Sequence, residues 1–337
     1  SGGGMVESIT SEGGTHIEFE AGSKNMFSLI SRISKLKKIL ISLKPDLINV
    51  HSRVPAWLTH FANKQLKIPV ISTIHGFNHV SPYSAIMTKA DHIICVSSSL
   101  EEFVLRNYKK VKVENSTVIS CGVDETIFCE ANINHREKNA ILEKYNLEGS
   151  FIATTAGRFT KLKDFETFIH AINIAKNDNP KIRGIIKGYV PKGNIKYYNH
   201  IHDLIKKLRL EDRVFLITEK INMTTIYALS HIVLSTSKKP ESLGLTLIES
   251  LFLNKPVIAT RHGGPIDIVK EGENGYLFEP ENSLALANLF LKLPESNFTN
   301  LREKAIERFS SNFCSQKYMS LYKRIIDNAA IEKPQKI

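Results

Sequence analysis

Cysteine is scarce in this sequence. Cys95, Cys121, Cys129 and Cys314 are the four in 337 residues, and they form no CxxC pair and no metal-like spacing with histidine. That argues against a zinc ribbon or a disulfide framework and leaves ordinary thiols of a reducing compartment. Long hydrophobic runs are missing too. None approaches the ~20 residues that a membrane span requires, so no bilayer-crossing helix is expected. The first ten residues, SGGGMVESIT, lack the basic start and apolar middle of a secretory signal, and a cytoplasmic setting follows as the expectation. No Asp-x-Asp pair is present, which removes a common anchor for a divalent ion beside a diphosphate. No RNP, zinc-finger or helix-turn-helix signature accompanies the lysines, so nucleic acid is not the expected partner.

What is present is positive charge, 45 Lys and Arg against 34 Asp and Glu, a formal net charge of +11. An excess of that size suits an anionic partner, either a phosphate-bearing substrate or an anionic membrane surface. Lysines spread over solvated faces account for it equally well. With 42% hydrophobic and 23% charged residues the composition is that of a globular protein, and the length suits two domains.

Short β-branched runs alternate with helical patterns. DLINVH (46–51), PVISTIH (69–75), HIICVS (92–97) and TVIS (117–120) read as strands, and LISRISKLKKILISL (29–43) as an amphipathic helix between them. A second series runs FIATTAG, RGIIKG, RVFLIT, HIVLS and PVIAT. Their hydrophobicity is continuous rather than alternating, which predicts strands covered on both faces, hence parallel sheets in βα units. Two such series predict an α/β protein of two doubly wound, Rossmann-like domains, residues 1–130 and 131–337. The first series is short by a strand, a Gly-rich turn and a helix. The expectation is a first domain lacking its opening βα unit, roughly 40 residues; a tag remnant ahead of a genuine Met5 is the alternative.

The chemistry concentrates in ESLGLTLIES (241–250), between the strand HIVLS and the strand PVIAT. Alone, two glutamates at that spacing are most simply a solvated helix face. Between two strands, Gly244 marks the turn from loop to helix, and a helix N-terminus presents unpaired N–H groups to a phosphate at Leu243, Gly244 and Leu245. Glu249 lies about 7 Å further along the axis at ~1.5 Å per residue, and Glu241 lies in the loop before it. A carboxylate, a phosphate cradle and a second carboxylate suit a nucleotide sugar. Gly157, Arg158 and Lys163 in AGRFTKLKDFETFI follow the first strand of the second domain, at the ligand-binding edge of such a sheet. Their guanidinium and ammonium groups offset the diphosphate.

Together these motifs resemble the retaining family 4, group 1 glycosyltransferases of the GT-B fold. The resemblance runs through KPDLINVHSR, STIHGF, ADHIICVSSSLEEF, VISCGVDETIF, AGRFTKLKDFETFIHAI, the block from Glu241 to Phe278 and the terminal FSSNFCSQKYMSLYKRI. It implies two domains facing a cleft, with the C-terminal helix returning to the first. It further implies that Glu241 contacts the donor sugar and Glu249 the ribose. Arg158 and Lys163 hold the diphosphate, and His75 faces the sugar; from its residues alone His75 reads as a satisfied histidine at a strand end. Glu241, His75, Arg158 and Lys163 are thus the expected catalytic residues, and no metal or cofactor is expected besides the donor substrate. The implied activity is sugar transfer, with retention by front-face displacement, to a glycan or lipid-linked acceptor of surface polysaccharide or lipopolysaccharide synthesis. The implied place is the cytoplasm, peripheral to the inner face of the membrane. The alternative is a non-catalytic or split-gene remnant that only binds nucleotide sugar. Two positions depart from the family pattern, Ser242 and Asp164, each standing where glycine is usual. The segment AGSKNMF (21–27) is a candidate acceptor contact.

Overall fold

A computed structural model describes residues 3–331 except 24, 26, 294 and 295. Lys24 and Met26 of the candidate acceptor segment therefore lie outside the described residues. The chain divides into two α/β units.

In the first unit, β1 (Ile48–Val50), β2 (Val70–Ile74), β3 (His92–Cys95) and β4 (Ser116–Val118) form a parallel sheet in that order. The helices that accompany these strands are α1 (Val6–Ser11), α2 (Leu29–Leu43), α3 (Arg53–Ala62) and α4 (Ser98–Asn107). The four apolar runs read from the sequence are these four strands. Helix α2 stops at Lys44, which is left-handed (φ 46°) and precedes Pro45, a residue that disfavours helical backbone before it. Leu40 of α2 is buried, as is Arg32. The Arg32 guanidinium donates to the carbonyls of Ser23 (2.7 Å) and Asn25 (2.8 Å), so it is committed to the loop before the helix.

The second unit carries β5 (Phe151–Ala156), β6 (Ile182–Lys187), β7 (Val214–Ile217), β8 (Ile232–Ser235), β9 (Val257–Thr260) and β10 (Gly275–Phe278). All pairings are parallel, in the order β10-β9-β8-β5-β6-β7. Helices α5 (His135–Lys144), α6 (Phe165–Ala175), α7 (Ile195–Lys207), α8 (Met223–Leu229), α9 (Leu245–Leu251), α10 (Pro265–Ile268), α11 (Ser283–Lys292) and α12 (Leu301–Phe309) complete it. Neighbouring residues of one strand serve opposite faces, as continuous hydrophobicity requires. Ile182 and Ile186 of β6 join a core built on Phe165, Phe168 and Phe290, while Ile185 joins Ile141 and Ile226 on the other side. Truncating a phenylalanine as buried as Phe168 typically costs about 3–5 kcal/mol.

The first unit comprises residues 1–95, 101–118 and 319–337 and the second 96–100 and 119–318, so the stretch 119–130 groups with the second unit. The reason is a contact far away in sequence: Val123 accepts from Ser311 N (2.9 Å) and donates to the Phe309 carbonyl (2.9 Å), which ties the stretch after β4 to the second unit. Helix α13 (Ser311–Ile331) is shared, and from Met319 onward it belongs to the first unit. There Tyr322 Oη accepts from Asn49 Nδ2 of β1 at 2.5 Å.

Candidate active site

In the second sheet β5 lies between β6 and β8, so the chain winds outward in both directions from this pair. That is a topological switch point, where a crevice opens beyond the carboxyl ends of the strands. Gly157, Arg158 and Lys163 follow β5, and Glu241 follows β8. The loops are stitched together. Thr236 Oγ1 donates to the Lys163 carbonyl (2.8 Å), and Lys238 N donates to the Leu162 carbonyl (2.9 Å).

Across this seam Lys163 Nζ forms an ion pair with Glu241 Oε1, which also accepts from the Ser237 hydroxyl. The pair is largely buried, 21% exposed at the lysine side chain and 11% at the glutamate. Burial by itself would raise the Glu241 pKa, but the Lys163 charge and the hydrogen bonds from Lys163 and Ser237 outweigh it and hold the carboxyl below its ordinary range. Lys163 reaches the site by lying across Gly157, where a Cβ would meet its Cε at 2.8 Å. A side chain at residue 157 would push the ammonium away. Arg158 is exposed and makes no hydrogen bond or ion pair among the described residues, so its guanidinium is uncommitted.

Helix α9 begins at Leu245, with Gly244 as N-cap at φ 106°, a conformation that only glycine adopts readily. Leu243 is buried, and the amides of Leu245 and Thr246 have no acceptor among the described residues. On the same helix, Glu249 Oε2 accepts from the hydroxyl of fully buried Tyr227 at 2.6 Å. Burial raises the Glu249 pKa, with the Tyr227 bond opposing that rise. Its other oxygen, Oε1, has no partner among the described residues.

Both departures from the family pattern have a structural account. Ser242 does not occupy a left-handed conformation, so its backbone needs no glycine. Asp164 does, at φ 49°, and puts its side chain to use. It caps α6 by accepting from the Thr167 hydroxyl (2.6 Å) and amide (3.4 Å), and it lies 3.6 Å from Lys238 Nζ.

Some residues of the site gave no sign of a role in the sequence. Gly264 N donates to the Glu241 carbonyl (2.7 Å), and Gly263 bridges to Glu241 in parallel register. A Cβ on Gly263 would lie 2.7 Å from Glu241 N, and one on Gly264 would fall onto the Leu243 backbone. The glycine pair is therefore the surface against which the Glu241 loop is moulded. Ser237, Tyr227 and His262 were also not singled out. Both ring nitrogens of His262 are buried without an aligned hydrogen-bond partner, beside Ser237 and Glu241, and burial lowers its pKa. A glycine doublet after a strand is the one signal that the sequence offered for this wall.

His75 belongs to the first unit, immediately after β2. Its Nε2 lies 2.9 Å from Nδ1 of His51, which ends the β1 run, and the rings stack at 5.2 Å. Burial lowers both pKa values, and the neighbouring ring lowers that of His51 further, which disfavours the protonated form of the pair. The sequence pointed to His75 but not to His51.

The family model described as "Glycosyl transferases group 1" matches residues 137–310, and the model "Glycosyltransferase Family 4" matches residues 13–126. The chain belongs to the group 1 glycosyl transferases. The N-acetyl-alpha-D-glucosaminyl L-malate synthase of Bacillus anthracis is 26% identical to this glycosyltransferase over 311 residues, 87% of this chain and 77% of that protein. Among solved structures, a glycosyltransferase from Rickettsia africae superimposes with a TM-score of 0.86 at 27% identity, covering 97% of this chain and 89% of that one. The HepE protein of Anabaena in complex with UDP and glucose gives 0.79 at 19% identity, covering 96% and 90%. The fold of this glycosyltransferase is therefore GT-B, and its activity is glycosyl transfer.

Proposed function

We propose that this glycosyltransferase moves a sugar from a nucleotide-sugar donor, with retention and without a metal ion, to a glycan or lipid-linked acceptor. The place is the cytoplasmic face of the membrane, in surface polysaccharide or lipopolysaccharide synthesis. The observation that carries the donor reading is the switch-point cluster: an ionised, buried Glu241 held by Lys163, an uncommitted Arg158, and the α9 amides. In this reading Glu241 accepts from sugar hydroxyls, and Arg158, Lys163 and the amides of Leu243, Gly244 and Leu245 hold the diphosphate. Glu249 accepts from the ribose through Oε1. The UDP complex of the Anabaena protein, which has the same fold, supports the donor class.

Two cations opposite the diphosphate supply charge that a metal ion would otherwise bring, and preorganised charge of this kind lowers the barrier to leaving-group departure. The bond from C1 to the acceptor oxygen forms as the bond from C1 to the β-phosphate oxygen breaks. The acceptor's proton passes to that departing oxygen. His75, in the first unit, is the further residue proposed to act in the reaction.

The acceptor reading rests on the first unit. A cavity of about 540 Å³ is lined by Leu29, Val54, Trp57, Phe61 and Tyr83, with Arg32 at its wall, and suits an apolar acceptor moiety. The outward side of α2 presents Ile30 and Ile41 with Lys35 and Lys38, which suits an anionic membrane surface. No helix among the described residues is long and apolar enough to cross a membrane.

Calorimetric titration of the full chain with UDP in EDTA tests the donor reading. Saturable binding without added metal is expected, and complete dependence on Mg²⁺ or Mn²⁺ would overturn it. Sedimentation with anionic liposomes at low and high salt tests the membrane reading, which salt-insensitive binding or none rejects.

A further inference from the structure

A second cluster of cations lies at the other edge of the same sheet, before the amino ends of β5, β8 and β9. It lines a cavity of about 520 Å³ to which none of the donor-site residues contributes. Lys138 comes from α5, His231 from the residue before β8, and Lys255 from the turn before β9. Leu142 and Leu229 give the cavity an apolar floor, and Glu148 stands at its wall.

These cations are poorly compensated. Lys255 Nζ has only the Ala228 carbonyl, at 3.4 Å. Neither Lys138 nor Lys255 has a carboxylate within 4.0 Å among the described residues. Burial lowers the Lys255 pKa and the charge on Lys138 lowers it further, with Glu130 opposing. Burial and the same two lysines lower that of His231. The Ile152 amide donates to His231 Nδ1 at 3.0 Å, so the neutral ring carries its proton on Nε2 and is a donor there. Two ammonium groups and an N–H donor thus gather where each makes the others less comfortable, a conflict that an anion resolves.

We infer that this cavity is an anion site, separate from the donor crevice, that takes a small phosphorylated metabolite. A phosphoryl dianion matches the two unpaired lysine charges, with His231 as a further donor. The cavity exceeds the size of phosphate itself, and its leucine floor accommodates the remainder of the molecule. Glu148 disfavours a ligand carrying negative charge at its far end.

Thermal unfolding of the full chain, with UDP present throughout to occupy the donor crevice, tests the assignment. The probes are inorganic phosphate and glucose 1-phosphate, each against chloride at equal ionic strength. At several times the dissociation constant, the phosphates should raise the midpoint by ~2–4 °C, glucose 1-phosphate more than phosphate at equal concentration. Lys255→Met and Lys138→Met keep the aliphatic stem and should each abolish the shift. In chloride Lys255→Met should melt at or above the wild-type midpoint, because an uncompensated charge has gone. A shift that both variants retain is a general salt effect and overturns the site, as does no shift. Glucose 1-phosphate stabilising no better than phosphate overturns the metabolite assignment. Lys138 is half-buried on α5 and its ammonium makes no hydrogen bond or ion pair among the described residues, so its variant decides the matter even where Lys255→Met fails to fold.

Discussion

Removing Lys163 while leaving Glu241 in place should do more than weaken this protein; it should reverse how acid affects it. Both side chains of the pair are well under a third exposed, so solvent screening relieves little of the loss. Breaking a buried pair by deleting one partner typically costs about 3–5 kcal/mol, because a charge is left without compensation. Lys163→Met should therefore destabilise the second unit by about 3 kcal/mol or more near pH 7. In the wild type the Glu241 pKa is lowered, so its contribution is present above the unfolded carboxylate pKa and lost as pH falls through the folded one. Without Lys163, burial is the dominant influence and raises the folded pKa. The variant should then gain stability relative to wild type as pH falls from 7 towards 5. Lys163→Met combined with Glu241→Gln should recover much of the loss, since no charge remains buried. The single tryptophan, Trp57, is in the first unit, so its fluorescence does not report on this event. Scanning calorimetry, with hydrogen exchange followed over β5 and β8, does. A loss below about 1 kcal/mol with an unchanged pH slope would refute the picture of a desolvated pair.

Three further outcomes are expected. Arg158→Ala and Glu241→Ala should each lower turnover by ~10²–10³, whereas Ser242→Gly should be near neutral because Ser242 is not in a left-handed conformation; steady-state kinetics with equal losses for all three would place the donor elsewhere. Gly264→Ala puts a methyl group into the Leu243 backbone and should cost ~10² in kcat by shifting the Glu241 loop by about an ångström, while Gly4→Ala, with open space around it, should be silent in the same assay. Because burial raises the Glu249 pKa, calorimetric UDP affinity should fall on acidification starting above the ordinary carboxylate range, as the ribose acceptor is protonated; Glu249→Gln should bind more weakly at pH 7 and lose that dependence, and a pH profile identical in the two proteins contradicts the assignment.

The sequence by itself determined the strands from β1 to β9, though not β10 (Gly275–Phe278), and the order of turn and helix after β5 and β8. Runs such as RGIIKG are legible because a strand covered on both faces must be apolar at every position, and Ile185 and Ile186 do face opposite cores. Glu241, Gly244 and Glu249 are legible because a strand, a glycine and a helix are local events within ten residues, and Gly244 is the left-handed N-cap that such a junction needs. Strand order is not a local event, and what depends on it was decided only by the tertiary structure. Lys163 meets Glu241 across 78 residues because β8, and not β6 alone, lies beside β5. Tyr227 meets Glu249 across β8, and the order β5-β8-β9 brings Lys138 and Lys255 to one cavity, pairs with no shared pattern in the chain. The stretch 119–130 groups with the second unit for a similar reason: Val123 pairs with residues 309–311, and backbone hydrogen bonds of that kind carry no side-chain signature in the sequence.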